Sequence, residues 1–200
     1  MRKLKLQVQI SLDGYIAGPN GEMDWITWTL DDKILEYISD LNRDMDLIIM
    51  GRVLAEGFIP HWKMEATDPT KKRDFIKRMS ESYDFAMKMH ETKKVVFTRS
   101  PNNPEWNNTV VANGDYVEEI KKLKSLPGND IMIYGGARFV SSVIKAGLID
   151  EYHLFVNPAA IGEGMTIFKS LDKKLDFELV KATPFECGIV VLKYEPKKIK

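Results

Sequence analysis

Residues 131–139 read IMIYGGARF: four apolar-rich positions run into two glycines and then into a segment with helical spacing. A short continuous apolar run is what a strand buried on both faces looks like, and such strands belong to parallel sheets covered by helices on both sides. Residues 47–52, LIIMGR, repeat the arrangement with Gly51 and Arg52. A strand that ends in glycine before a helix points backbone N–H groups and the positive end of the helix dipole beyond the strand tip, an arrangement suited to a pyrophosphate. Glycine allows the phosphate to approach the main chain closely. The same pattern also arises as a plain helix-start turn, so its occurrence twice carries more weight than either occurrence alone.

Working outward, the rest of the chain fits the same alternation. Leu4 to Ile10 is apolar at every second position, the period of a strand. The glycine-rich stretch SLDGYIAGPNGEMDW, residues 11–25, is a long shaped loop. Thr29 followed by Asp32 resembles a capping box for a helix reaching about Arg43, with Ile34, Leu35, Ile38 and Leu41 on one face. A turn-rich stretch through Pro60 and Pro69 then leads to a second helix marked by Phe75, Ile76, Met79, Tyr83, Ala86 and Met87. KKVVF (93–97) is a strand, RSPNNPEWNN (99–108) an exposed loop, and Thr109–Ala112 a shorter strand. Val117 to Leu126 and Phe139 to Ala146 read as helices. After Asp150, Tyr152–Val156, Phe177–Ala182 and Ile189–Tyr194 are strands with no helix between them, so antiparallel strands close the sheet. The expected fold is one α/β domain over residues 1–200, with three α/β/α layers and a mostly parallel central sheet.

Composition narrows the function. Basic and acidic residues number 29 each, so no global field draws nucleic acid or an anionic membrane. The expected partners are a small-molecule substrate and another copy of the chain. Apolar runs fall well short of the roughly 20 residues that span a bilayer. A single cysteine, Cys187, and a start, MRKLKLQVQI, that alternates charged and apolar residues suit a reducing cytoplasm. His61, His90 and His153 lack metal-ligand spacing, and Cys187 lacks a nucleophile signature.

A third strand tip offers Thr98, Arg99 and Ser100, and Arg52 occupies the equivalent place after its own strand. Ligands of open α/β sheets bind beyond the carboxyl ends of the strands, so both guanidinium groups either converge on one anion, such as a ribose 2′-phosphate, or stand as solvated surface charges.

Taken in order, SLDGYIAGPNGEMDW, IIMGR, VVFTRS and IYGGARFV resemble the cofactor-binding segments of the dihydrofolate-reductase-like superfamily. With LIDEYHLFVNPAAIGEGMTIF, residues 148–168, the chain is most similar to stand-alone relatives of the C-terminal reductase domain of the bifunctional riboflavin biosynthesis deaminase-reductase. The resemblance implies hydride transfer from NADPH to a flat heterocycle or an imine. It places Ile16 and Ala17 beside the nicotinamide, Gly51 and Arg52 at the adenosine phosphates, and Thr98, Arg99 and Ser100 at the 2′-phosphate. Gly135, Gly136, Ala137 and Arg138 fall at the pyrophosphate. Homodimerisation is expected by the same analogy. For the proton donor, Asp31 and Asp32 stand at the start of the first helix, where acidic residues also serve as caps, and Asp13 either faces substrate or forms an Asx turn. Trp25 either stacks on a planar substrate or anchors the core. The chain departs from the family at Val53 and Leu54, in FIPHWKM (58–64), which lacks the arginine that grips a folate tail, and at Ile133, where riboflavin-pathway reductases carry an acidic residue. Arg43 and Lys63 are the remaining candidates for a substrate phosphate.

Overall fold

A computed structural model describes residues 1–68, 70, 73–80, 84–100 and 105–197. Pro69, Tyr83, the Pro101–Pro104 part of the expected loop and the last three residues lie outside them. In chain order the elements are β1 (Leu4–Ile10), α1 (Asp32–Arg43), β2 (Leu47–Gly51), α2 (Arg52–Thr67), α3 (Asp74–Ser80), α4 (Phe85–Glu91) and β3 (Lys93–Phe97). Then follow β4 (Thr109–Ala112), α5 (Tyr116–Ser125), β5 (Ile131–Tyr134), α6 (Ala137–Lys145), β6 (Glu151–Val156), β7 (Phe177–Pro184) and β8 (Val190–Pro196).

All eight strands form one sheet in the order β4-β3-β2-β5-β1-β6-β8-β7. From β4 to β6 every pairing is parallel, and β8 and β7 join as antiparallel strands. One face packs on α1 to α4 through a core that includes Ile34, Ile38, Ile59, Trp62, Ile76 and Phe155. The other packs on α5 and α6 through Leu4, Leu6, Ile120, Val140 and Ile144. The expected three-layer architecture is therefore present. β1 shows why its alternation matters: Leu4, Leu6, Val8 and Ile10 are buried on the α5–α6 side, while Gln7 points at α1 and accepts a hydrogen bond from Asn42 at 3.0 Å.

The segment after β2 differs from the expectation of turns. It forms the long helix α2, with Pro60 inside it. A proline there removes one ladder hydrogen bond and costs about 3 kcal/mol, but Ala55, Ile59, Trp62 and Glu65 fall on one buried face at helical spacing. Burying side chains such as Ile59 and Trp62 contributes about 1.5–3 kcal/mol each, enough to hold the helix through the proline. The buried Glu65 carboxylate is answered by Arg73, whose Nε donates at 2.8 Å and whose backbone N–H donates at 3.0 Å. The Arg73 guanidinium lies over the rings of Trp28 and Phe75. The expected second helix is two, α3 and α4, the latter capped by the Asp84 carboxylate. At α1 the cap is Asp31, not Thr29: its side chain accepts the Ile34 N–H.

Lys94, at the start of β3, is almost wholly buried, and its ammonium donates to the carbonyls of His90 and Thr92 at the end of α4. Burial lowers its pKa to about 8. Between that value and the ordinary lysine value the unfolded chain holds a proton that the folded one has released, so stability rises with pH across that window. In denaturant unfolding, wild type should gain stability relative to Lys94→Met as pH rises from about 8 to 10; parallel pH profiles would contradict this account.

Candidate functional site

Strands β3, β2 and β5 are adjacent and parallel, with Gly51 opposite Phe97 and Ile49 opposite Ile133. Their carboxyl ends therefore emerge on one edge of the sheet, and the three segments singled out in the sequence, Gly51–Arg52, Thr98–Ser100 and Gly135–Arg138, stand side by side there. Gly51 is required by packing: a Cβ would lie 2.9 Å from the Cβ of Phe139, pushing α6 away from β2. Gly136 has φ +80, a left-handed conformation costly to other residues, and it is the N-cap of α6.

The caps separate two kinds of helix. Asp31, Asp84 and Asp115 each use a side-chain oxygen to satisfy free N–H groups at the starts of α1, α4 and α5. The two helices that begin at the glycine tips, α2 after Gly51 and α6 after Gly136, have no side-chain cap. Around them, Arg99 and Arg138 are exposed, and neither guanidinium has an ion pair among the described residues. The Arg52 Nε donates to Glu56 one turn along α2 at 2.8 Å. Thr98 Oγ1 accepts the Ser100 N–H at 3.0 Å, shaping the β3 tip into a tight turn. Stacked rings of Phe97 and Phe139, 5.1 Å apart, form the floor between β3 and α6.

The loop after β1 leaves the same edge, one strand beyond β5. Ile16 and Ala17 are buried in it and bridge to Met165, with the Ile16 N–H donating to the Met165 carbonyl and the Met165 N–H to that of Ala17, both at 2.8 Å. Asp13 strengthens this clasp. Its carboxylate accepts from the Ser11 hydroxyl at 2.6 Å and from the N–H groups of Ile161 and Gly162, and the Ser11 contact, followed by the backbone donors, lowers its pKa.

Asp31 is engaged in the same way. One oxygen accepts the Ile34 N–H at 3.1 Å and the other the Cys187 N–H at 2.9 Å, which ties α1 to the turn between β7 and β8. Burial pushes its carboxyl up, but these donors outweigh burial and the net shift is downward. Asp32 is exposed and ion-paired with Arg78. Trp25 is half-buried, and its ring N–H donates to the Glu22 carbonyl at 3.3 Å. Arg43 lies at the end of α1 that leads into the start of β2, the edge opposite the tips, and is paired with Asp40. Lys63 is exposed in the second half of α2.

Sequence reasoning missed Asn157. Fully buried just beyond β6, it accepts the Thr27 N–H at 2.9 Å and donates to Gln9 at 2.8 Å and to the Phe155 carbonyl. It thereby pins the loop carrying Trp25 to the tips of β1 and β6. Its signal in the sequence is the asparagine that ends the apolar run YHLFV before Pro158. Among the described residues no group of three or more His, Cys, Asp or Glu side chains could hold a metal, and no helix is long and apolar enough to cross a membrane.

Known proteins share this fold. Residues 2–191 match the family model of the RibD C-terminal domain. The YyaP protein of Bacillus subtilis is 31% identical over 196 residues, covering 96% of this chain and 94% of its own. A putative riboflavin biosynthesis protein from Shewanella sp. PV-4 superimposes with a TM-score of 0.69 at 19% identity, covering 99% of this chain and 100% of that one. Dihydrofolate reductase from Enterococcus faecalis, solved with NADP(H), gives 0.59 at 18% identity over 98% of this chain and 97% of its own. With a family model matched over almost its whole length and the glycine-capped strand tips in place, the chain belongs to the RibD C-terminal domain family and has a dihydrofolate-reductase-like fold.

Proposed function

We propose that the protein is an NADPH-dependent reductase that delivers a hydride to a small flat heterocycle or imine, of the kind reduced in riboflavin biosynthesis. The observation that carries this reading is the contrast in helix caps: the only helix starts left without a side-chain cap among α1, α2, α4, α5 and α6 are the two at the glycine tips of β2 and β5. A pyrophosphate between them meets the N–H groups and the dipoles of two helix starts. Arg99 and the Thr98–Ser100 turn take the ribose 2′-phosphate, and Arg138 and Arg52 flank the phosphates. Ile16 and Ala17, clasped to Met165, form the wall against which the nicotinamide rests. Bound NADPH supplies the hydride, and the chain supplies position and shelter from water.

A reduction also consumes a proton. A carboxylic acid that donates one at neutral pH needs a raised pKa, whereas Asp31 and Asp13 both accept backbone N–H groups and are shifted downward. We assign Asp31 the positioning of α1 and Asp13 the clasping of the nicotinamide loop, with the proton reaching the substrate from water. The same observation favours a second reading, a nucleotide-binding protein without turnover. The chain departs from riboflavin-pathway reductases in one respect, since Ile133 is fully buried and its position offers no carboxylate to a substrate.

Titration of the folded protein should show NADPH binding more tightly than NADH. Arg99→Ala should remove most of that preference, about 10- to 100-fold for one charge-assisted contact. Gly136→Ala should weaken both cofactors. Absence of binding at millimolar NADPH sinks the proposal. With a pterin or pyrimidine acceptor, Asp31→Asn, which keeps a capping oxygen, should retain turnover within a few-fold of wild type, whereas loss of a proton donor costs about 10²- to 10⁴-fold. NADPH binding without oxidation by any such acceptor would favour the second reading.

A further inference from the structure

β7 ends the sheet, with β8 on one side and no strand on the other among the described residues. It is unusually bare for an eight-residue strand: Leu179 is 52% and Val180 50% exposed, and Glu178, Lys181 and Ala182 are exposed as well. Long edges with apolar residues are templates for another strand.

The charges on this edge are left in an unfavourable arrangement by the chain itself. Against β8, Glu178 lies opposite Glu195 and Lys181 opposite Lys193, two like-charge pairs of a kind that destabilises a sheet. Glu195 and Lys193 have their own opposite charges, Lys3 at 3.6 Å and Glu151 at 2.7 Å. Glu178 and Lys181 have none among the described residues.

An irregularity in β7 gives these two residues a common face. Three positions apart in a regular strand, they would point to opposite sides of the sheet. The register shift between Leu179 and Lys181 instead sets them opposite Glu195 and Lys193, which are two apart on β8 and share a face.

The geometry points to β7 as a two-fold interface that takes a second copy of this chain, edge to edge and antiparallel. With the axis normal to the sheet and passing between Leu179 and Val180, Glu178 lies opposite Lys181 of the partner subunit, and Lys181 opposite the partner's Glu178. Both are on the same face only because of the bulge. Phe177 then faces the partner's Ala182, and Leu179 and Val180 meet their counterparts at the centre, where their exposed surface leaves water. The row on that face reads Glu195, Glu178, partner Lys181, partner Lys193, so each like-charge pair gains an opposite pair beside it. Two-fold symmetry closes the contact, and it yields a dimer instead of an open fibre.

Sedimentation velocity of the full chain across micromolar concentrations tests this interface. Wild type should be a dimer. Lys181→Glu and Glu178→Lys each place like charges together twice, and each should weaken the dimer about ten-fold. The combined Glu178→Lys/Lys181→Glu chain restores opposite charges across the axis and should recover the wild-type dissociation constant to within about three-fold. Both side chains are exposed, and circular dichroism spectra of the variants should show the wild-type fold. A monomeric wild type, single variants that dimerise as tightly as wild type, or a double variant no tighter than the singles would each overturn the assignment.

Discussion

Parallel register across β3, β2, β5 and β1 is the constraint on which the rest of the structure depends. Parallel neighbours cannot be joined by a hairpin, so each strand must return through a crossover over one face of the sheet. All the carboxyl ends then lie on one edge, and the helices that follow β2 and β5 begin there. α2 starts at the Gly51 tip and α6 at the Gly136 tip because no other edge is open to them. The distance between α6 and β2 is set by a missing side chain, since Phe139 occupies the space a Cβ on residue 51 would fill. The shape of this edge is thus a product of topology first and of glycine second.

Beneath α1 the sheet is polar where an alternating strand would lead one to expect open solvent. Gln7 meets Asn42, Gln9 meets Asn157, and the Tyr134 hydroxyl also bonds to Asn42. Farther along the same face Tyr37 and His153 are 2.7 Å apart, and His153 Nε2 lies 3.5 Å from the buried Glu151. Burial pushes the His153 pKa down, so its neutral ring can accept a hydrogen bond from the Tyr37 hydroxyl. Lys3 and Lys193 contact Glu151 and, with its histidine neighbour, hold its carboxyl well below the usual range. Directional contacts of this kind fix the register of α1 in a way apolar packing would not. That register places Asp31 within reach of Cys187.

The strands were legible because their pattern is carried by apolar residues whose period survives in the sequence: Leu4 to Ile10, Leu47 to Met50 and Ile131 to Tyr134 lie where their spacing puts them. The glycine tips were legible for the same reason, as each follows such a run. α2 was hidden because Gly57 and Pro60 are local breakers, and a buried face spread over Ala55, Ile59, Trp62 and Glu65 includes a charge whose partner, Arg73, is found only in three dimensions. The roles of His153 and Asn157 are hidden for a related reason: they rest on Tyr37, Gln9 and Thr27, distant in sequence. The acidic residues show the limit most clearly. Asp31 and Asp13 can be located from sequence, but only the positions of the Cys187, Ile161 and Gly162 N–H groups reveal that their oxygens are already engaged.

The antiparallel end joins the two features that the parallel part leaves unconnected. The turn between β7 and β8 supplies the Cys187 N–H to Asp31, and its Phe185 ring packs edge-on against Tyr37 of α1. One strand of that hairpin, β8, is anchored to β6; the other, β7, pairs among the described residues with β8 alone. An edge strand paired on one side only has fewer hydrogen bonds to open than an inner one, and β7 runs through a short turn into the Cys187 N–H held by Asp31 at the start of α1. Whatever stiffens the β7 edge therefore also stiffens the cap of α1, at the edge of the sheet where Gly51 and Gly136 begin their helices.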